Sequence, residues 1–181
     1  MQSSDLGSVL ASCRRHWIDS ASGDMGHLVT GFIGNPETLA AFAGRVALRP
    51  PVALPAGLAL LPLRDSDLDS FLPLPLTGET EGFTYLSEQL LEVLSQLSVN
   101  EPVMYFETEY FGGAGMQGAV VMEDGRAVYG PRSAESGPIN EALALLGVRI
   151  CPPARDQFET LGLGRHRSTA DWLGVGDDDD A

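Results

Sequence analysis

Lysine is absent from this chain, and all 11 of its basic residues are arginines. They stand against 25 acidic residues, so the 181-residue sequence has a net charge of −14. A protein that binds nucleic acid neutralises phosphates with Lys and Arg, and this balance therefore argues against direct binding to DNA or RNA. The absence of lysine also excludes the phosphate-binding P-loop motif, which requires one.

Cysteine is scarce as well, because only Cys13 and Cys151 are present. Neither has the spacing of a zinc knuckle or of a disulfide scaffold, so we expect reduced, buried thiols. The three histidines, His16, His27 and His166, are too far apart in sequence to form a paired ligand motif. We therefore expect no metal site and no cofactor.

Long hydrophobic runs are missing too. The most apolar stretch, residues 52–63, is interrupted by Pro55, Gly57 and Pro62, and no stretch approaches the roughly 20 apolar residues that span a bilayer. Residues 1–17 lack the apolar segment of a secretion signal. These absences predict a cytoplasmic protein that has no contact with a membrane.

The composition itself is that of a globular protein, with 44% hydrophobic and 20% charged residues. A chain of this length can bury one sizeable core. We predict a single domain over residues 1–176, followed by an acidic tail over residues 177–181, which contains four consecutive aspartates.

Secondary structure is predicted from apolar periodicity and from the residues that start and stop helices. The predicted helices are Val9–Ile18, Pro36–Ala43 with Asn35 as its N-cap, a short helix from Asp65 that Pro73 stops, Tyr85–Leu97, Pro138–Leu146 and a weaker one after Asp156. The predicted strands are Leu28–Ile33, Leu58–Leu61, Val103–Phe111, Ala119–Met122 and Arg126–Tyr129. Asp124-Gly125 between the last two is typical of a hairpin turn. This mixture predicts an α+β fold, a single compact domain with a mixed or antiparallel sheet, a central hairpin and helices packed on the sheet.

The strand Val103–Phe111 carries the first candidate site. Strand geometry places Tyr105, Glu107 and Glu109 on one face. Charged residues in strands usually lie at a surface or are paired, so we expect the two carboxylates to face solvent or to pair with Arg165 and Arg167. If they are exposed beside Tyr105, the three side chains form an aromatic and acidic patch that suits a protein partner. A catalytic role would require unequal environments and a cleft, which the sequence does not show.

A second candidate site is the acidic segment that contains Asp65, Asp67 and Asp69. The alternation resembles a calcium-binding loop, but Ser70 replaces the required glycine and Leu76 the bidentate glutamate. The segment is therefore interpreted as an acidic helix start whose carboxylates could receive Arg or Lys from a protein partner.

Residues 112–118 are rich in glycine, and Gly113, Gly115 and Gly118 match the pattern GxGxxG. A dinucleotide site needs a helix directly after these glycines, whereas residues 119–122 are predicted as a strand. We interpret the segment as a bend between strands. It also supports an alternative function, a small enzyme or ligand-binding protein with a pocket at this bend.

Parts of the chain, mainly between residues 102 and 173, resemble a group of uncharacterised bacterial proteins. The segments that carry this resemblance are Tyr105–Gly113, Ile139–Leu143, Leu145–Val148, Phe158, Gly162–Arg167 and Asp171-Trp172, with a looser match at Gly57–Leu63. In size and charge, such small acidic proteins are similar to immunity proteins, which neutralise bacterial toxins. The resemblance implies no catalytic residues.

Taken together, these features favour a non-enzymatic protein-binding module over an enzyme. The most specific hypothesis is an immunity protein that inhibits a basic toxin domain through an acidic surface, since opposite charges steer such partners together. The candidate partner-binding residues are Tyr105, Glu107, Glu109, Asp65, Asp67 and Asp69.

Overall fold

A computed structural model describes residues 26–174 of the chain. Its centre is a six-stranded sheet in which all neighbouring strands are antiparallel and the spatial order is β2-β3-β1-β4-β5-β6. The strands are β1 His27–Gly34, β2 Val52–Ala53, β3 Ala59–Pro62, β4 Val103–Phe111, β5 Ala114–Glu123 and β6 Arg126–Ala134. The predicted α+β class with an antiparallel sheet is therefore confirmed.

Helices cover both faces of this sheet. They are α1 Pro36–Arg45, α2 Asp65–Phe71, α3 Glu88–Leu97, α4 Pro138–Leu145, α5 Gln157–Leu161 and α6 Thr169–Leu173, with single 3-10 turns at Pro55–Gly57 and Leu163–Arg165. Within the described residues, none of these helices is long and apolar enough to cross a membrane.

The alternation of side chains along β4 divides the core into two clusters. Val103 and Tyr105 belong to the cluster beneath α1, α2 and α3, and we call this side of the sheet the first face. Met104 and Phe106 belong to the cluster beneath α4, α5 and α6, on the second face. Because helices cover both faces over this part of β4, the side chains from Val103 to Phe106 are buried on both sides, and burial continues along the strand to Thr108.

The helix starts follow capping chemistry. The Asn35 side chain accepts hydrogen bonds from the backbone of Glu37 and Thr38 at the start of α1, as predicted. Ser87 accepts from Leu90 and caps α3. The predicted helix start at Tyr85 is therefore three residues too early, because the capping serine needs an extended backbone and the residues before it belong to a loop.

The predicted hairpin is present as β5 and β6, with Glu123 opposite Arg126 and Asp124-Gly125 as the two-residue turn. Both strands are longer than expected, and β6 forms an edge of the sheet rather than its centre. The central hairpin is formed by β4 and β5, which pair from Val103 opposite Met122 to Phe111 opposite Ala114. Most of the glycine-rich segment is therefore strand.

Two expectations fall on residues 1–25 and 175–181, outside the described range: the helix Val9–Ile18 and the acidic tail. Cys13 lies there too. Cys151 is half-buried and disulfide-bonded, so the prediction of a reduced, buried thiol is wrong for this residue.

Candidate functional site

An open cleft of about 440 Å³ lies on the first face, beside the helices. It begins where the first face changes character along the strands: the core residues Phe32, Tyr105 and Val120 are followed on the same face by Thr30, Glu107 and Gly118. Its floor comes from three adjacent strands and its wall from the loop before α3. The lining residues are Leu28 and Thr30 of β1, Glu107, Thr108 and Glu109 of β4, Met116 and Gly118 of β5, and Gly82, Phe83, Thr84 and Tyr85 of the loop.

Glu107 joins the floor of the cleft to its wall. Only 8% of its surface is exposed, and its carboxylate accepts three hydrogen bonds. The backbone N–H groups of Thr84 and Tyr85 donate at 2.7 and 3.0 Å, and the hydroxyl of Tyr105 donates at 2.6 Å. Buried charge is tolerated when it is hydrogen-bonded in this way. The side chain therefore ties the loop to the centre of the sheet.

Two phenols surround this carboxylate. Burial raises the pKa of Tyr105 well above its ordinary value, and the adjacent Glu107 carboxylate adds to the effect. Burial also raises the pKa of Tyr85, and a hydrogen bond to Asp65 acts in the same direction. Both hydroxyls therefore stay protonated at neutral pH, so they donate hydrogen bonds to carboxylates rather than carry charge.

Phe83 rests directly on the backbone of β5. A Cβ atom built on Gly118 would lie 2.5 Å from the ring, closer than such atoms approach one another. Glycine at this position therefore allows the ring to lie against the strand and to form one side of the cleft. Glu109, two residues beyond Glu107 on the same face, is exposed at the open side.

The structure separates the predicted partner-binding residues into two groups. Tyr105 is fully buried and Glu107 nearly so, and neither lies on an exposed patch. The expectation that both glutamates face solvent or pair with arginines is therefore wrong for Glu107. Its charge is held by backbone amides that reach it from the preceding loop, and Arg165 instead stacks on Trp172 on the second face, 4.3 Å from the ring centre.

The aspartates of the second predicted site also have different roles. Asp65 and Asp69 are exposed at positions i and i+4 of α2, on one side of the helix. Asp67 is half-buried, accepts from the Arg64 backbone N–H at 2.9 Å and forms an ion pair with its guanidinium at 3.2 Å. Asp67 is thus a helix-capping residue.

The two predicted sites meet at the cleft. Asp65 is close enough to Tyr85, a cleft residue, to raise the pKa of its hydroxyl, and Asp69 acts electrostatically in the same direction. Glu109 contributes the exposed carboxylate on the strand side. The fold therefore unites Asp65, Asp69 and Glu109 in one acidic region, although they lie about 40 residues apart in sequence.

The glycine-rich segment does not form a nucleotide-binding loop. Gly112 and Gly113 are the turn of the β4–β5 hairpin, with φ angles of +58° and +82°. Gly115 and Gly118 lie in β5, so a strand follows the turn where a phosphate site needs a helix N-terminus. The bend predicted over residues 112–118 is therefore present only at Gly112 and Gly113, and the cleft begins three residues beyond it, at Met116.

One signal in the sequence points directly to this region. Between Arg64 and Arg126 lie 61 residues without a single Arg, Lys or His, and twelve of them are acidic. This stretch forms α2, the wall of the cleft, α3, β4 and β5. The twelve are Asp65, Asp67, Asp69, Glu79, Glu81, Glu88, Glu92, Glu101, Glu107, Glu109, Glu123 and Asp124.

We use the name acidic face for the exposed carboxylates on the elements around the cleft: Asp65, Asp69, Glu79, Glu81, Glu88 and Glu109. Two arginines are found on the same side of the sheet, Arg45 over the ring of Phe42 and Arg64 paired with Asp67. On the second face, Arg132 is paired with Glu141. Exposed carboxylates therefore lie on several of the elements around the cleft.

Among residues 26–174, no group of three or more His, Cys, Asp or Glu side chains is arranged to hold a metal ion. No known family profile, curated protein or solved structure matches the chain. The functional argument therefore depends on the geometry and charge of the cleft and of the acidic face.

Proposed function

We propose that this protein binds a basic protein through the acidic face and inhibits it, as an immunity protein inhibits its cognate bacterial toxin. The observation that carries the proposal is the stretch of 61 residues without a basic residue, whose fold surrounds one cleft with exposed carboxylates. A partner that acts on nucleic acid has a basic active site, and an acidic face is complementary to such a site.

The physics of this surface suits fast, specific association. A concentrated negative field steers a positively charged partner towards the acidic face and orients it before contact. The interaction is expected to weaken with salt, because exposed charges are screened within about 10 Å at an ionic strength of 0.1 M. The proposed function needs no cofactor, since occupying the partner's site is sufficient for inhibition.

The test begins with tagged protein in a lysate of the cells that encode it, at low and at moderate salt. A stoichiometric partner is then purified, and its affinity is measured by calorimetry against two variants of equal net charge. The acidic-face variant combines Asp69→Asn, Glu81→Gln and Glu109→Gln. The control variant combines Glu101→Gln, Glu123→Gln and Asp124→Asn, which change exposed carboxylates at the end of the sheet away from the cleft.

The acidic-face variant should bind about tenfold more weakly, because exposed charge pairs each contribute a few tenths of a kcal/mol and three are removed. The dependence of affinity on salt should also be smaller. The control variant should bind like the wild type. An equal loss in both variants would show that only total charge matters and would refute the proposed surface.

A second candidate function has one specific observation in its favour. The cleft adjoins the glycine-rich segment through Met116 and Gly118, and its volume of about 440 Å³ is within the range of small-molecule sites. A ligand that binds the folded state raises the melting temperature. If a metabolite produces such a rise and Met116→Trp removes it, the cleft is a ligand-binding site of a small enzyme or binding protein.

A further inference from the structure

We infer that the cleft receives the guanidinium group of an arginine side chain, presented by the protein that binds the acidic face. This inference rests on the proposed function and names the point at which the partner is anchored. It is argued from the charge of the floor, from the shape of the wall and from the absence of cationic groups in the lining.

The floor offers two carboxylates with unequal exposure. Glu107 is buried, and every hydrogen bond it makes with described residues comes from a neutral donor: two backbone amides and a phenol. Among the residues that the structure describes, Thr84 is the one donor to its Oε2 atom, and a carboxylate oxygen can accept two hydrogen bonds. Glu109 is exposed at the open side, so a cation that enters the cleft meets one carboxylate at the mouth and a second at the base.

The wall favours a flat cation. Phe83 and Tyr85 present half-buried aromatic rings, and Met116, with 42% of its surface exposed, supplies a polarizable thioether opposite. Guanidinium groups stack on aromatic rings while their N–H groups bond to carboxylates, which a compact ammonium group does less well. The combination of two carboxylates with two rings is therefore specific to arginine among protein side chains.

The residues that line the cleft exclude anionic ligands. None of the eleven residues around the cleft is Arg, Lys or His, and nine of them belong to the 61-residue stretch without basic residues. A nucleotide or another phosphate ester would face two carboxylates with no compensating cation, and this costs free energy that its base cannot recover. The ligand of this cleft is therefore a cation.

Two small probes test this inference on the whole protein. N-acetyl-arginine amide carries the guanidinium, and N-acetyl-citrulline amide has nearly the same shape without the charge. Binding is followed by NMR, through the methyl resonance of Met116 and the amide resonance of Thr84. We expect saturable shifts at millimolar concentration with the arginine probe and none with the citrulline probe.

Matched variants place the probe in the cleft. Glu109→Gln should weaken binding of the arginine probe about twofold, because it removes one exposed charge partner. Glu101→Gln, which changes an exposed carboxylate two residues before β4 begins, should leave it unchanged. Met116→Trp should block the cleft, whereas Val128→Trp, at a similarly exposed position of β6, should not.

Putrescine, a small diamine, distinguishes a site for a partner's arginine side chain from a site for a soluble cation. If putrescine binds more tightly than the arginine probe, the cleft is a site for a soluble amine, and the assignment to a partner side chain is overturned. Equal binding of the arginine and citrulline probes, or no shift with either, overturns the inference altogether.

Failure of the arginine-binding inference can be distinguished from failure of the proposed function. A partner whose affinity falls in the acidic-face variant but not in Met116→Trp would support the proposed function and refute the anchoring role of the cleft. Conversely, binding of the arginine probe by a protein that captures no partner through its acidic face would support a cation site and refute inhibition.

Discussion

The substitution Glu107→Gln tests whether one carboxylate holds the cleft together. Gln keeps the length of the side chain but replaces one carboxylate oxygen with an NH₂ group. The amide oxygen can take the place of Oε1, which accepts from Tyr85 and Tyr105. The NH₂ group then faces the Thr84 N–H, which donates to Oε2 at 2.7 Å in the wild type. Two donors cannot bond to each other, so this contact is lost.

The cost follows from these three contacts. A hydrogen bond to a charged group contributes about 1.5–3 kcal/mol and one between neutral groups about 1 kcal/mol, so one bond is lost and two are weakened. Because Gln is neutral, the variant no longer bears the free-energy cost of burying a charge, and this offsets part of the loss. We therefore expect the free energy of unfolding to fall by about 3 kcal/mol, a large fraction of the 5–15 kcal/mol that is typical of a domain.

Urea denaturation measures this change, with Glu109→Gln as the control. Glu109 lies on the same strand face and is exposed, so its substitution should alter stability by less than about 0.5 kcal/mol. Hydrogen exchange should show that the Thr84 and Tyr85 amides, protected in the wild type, exchange rapidly in Glu107→Gln. If both variants were equally stable and these amides stayed protected, Glu107 would not tie the loop to the sheet.

Two further substitutions test the surroundings of the cleft. Gly118→Ala should destabilise the protein by about 1–3 kcal/mol, since the new Cβ displaces the Phe83 ring, and a urea midpoint unchanged from the wild type would contradict this. The Nδ1 atom of His27 forms a hydrogen bond with the hydroxyl of Thr108. Burial lowers the pKa of His27, so the folded state favours the neutral ring. The contribution of His27 to the free energy of unfolding should therefore be fully present above about pH 6.5. Below that pH it should decrease by up to about 1.4 kcal/mol per pH unit. Thermal unfolding of His27→Gln between pH 5 and 7.5 should lack this component, and a slope equal to that of the wild type would exclude His27 as its source.

Local patterns were sufficient for most of the fold. The alternation along Val103–Phe111 predicts a strand with two different faces, because side chains in an extended backbone point to opposite sides in turn. Asn35 starts α1 and Asp124-Gly125 connects the last two strands, since each satisfies a local backbone requirement with its own side chain or conformation. Such signals depend on neighbours within about four residues, and a single sequence contains them.

The helix starting at Tyr85 shows the limit of this approach. Tyr85 and Leu86 continue the apolar periodicity of α3, but they lie in the loop that closes the cleft, and Ser87 starts the helix. Periodicity indicates which residues are buried and does not distinguish burial in a helix from burial in a loop. The contact that keeps Tyr85 out of the helix is its bond to Glu107, 22 residues further along the chain.

By itself, the sequence determined the α+β class, the two faces of β4 and the excess of acidic residues between Arg64 and Arg126. Only the tertiary structure decided that Glu107 is buried while Glu109 remains exposed. Both residues have the same side chain and the same place in the alternation, so no local rule separates them. What separates them is the loop that delivers two amide donors to Glu107 and none to Glu109, because burial of a charge depends on partners that chain folding brings from a distance.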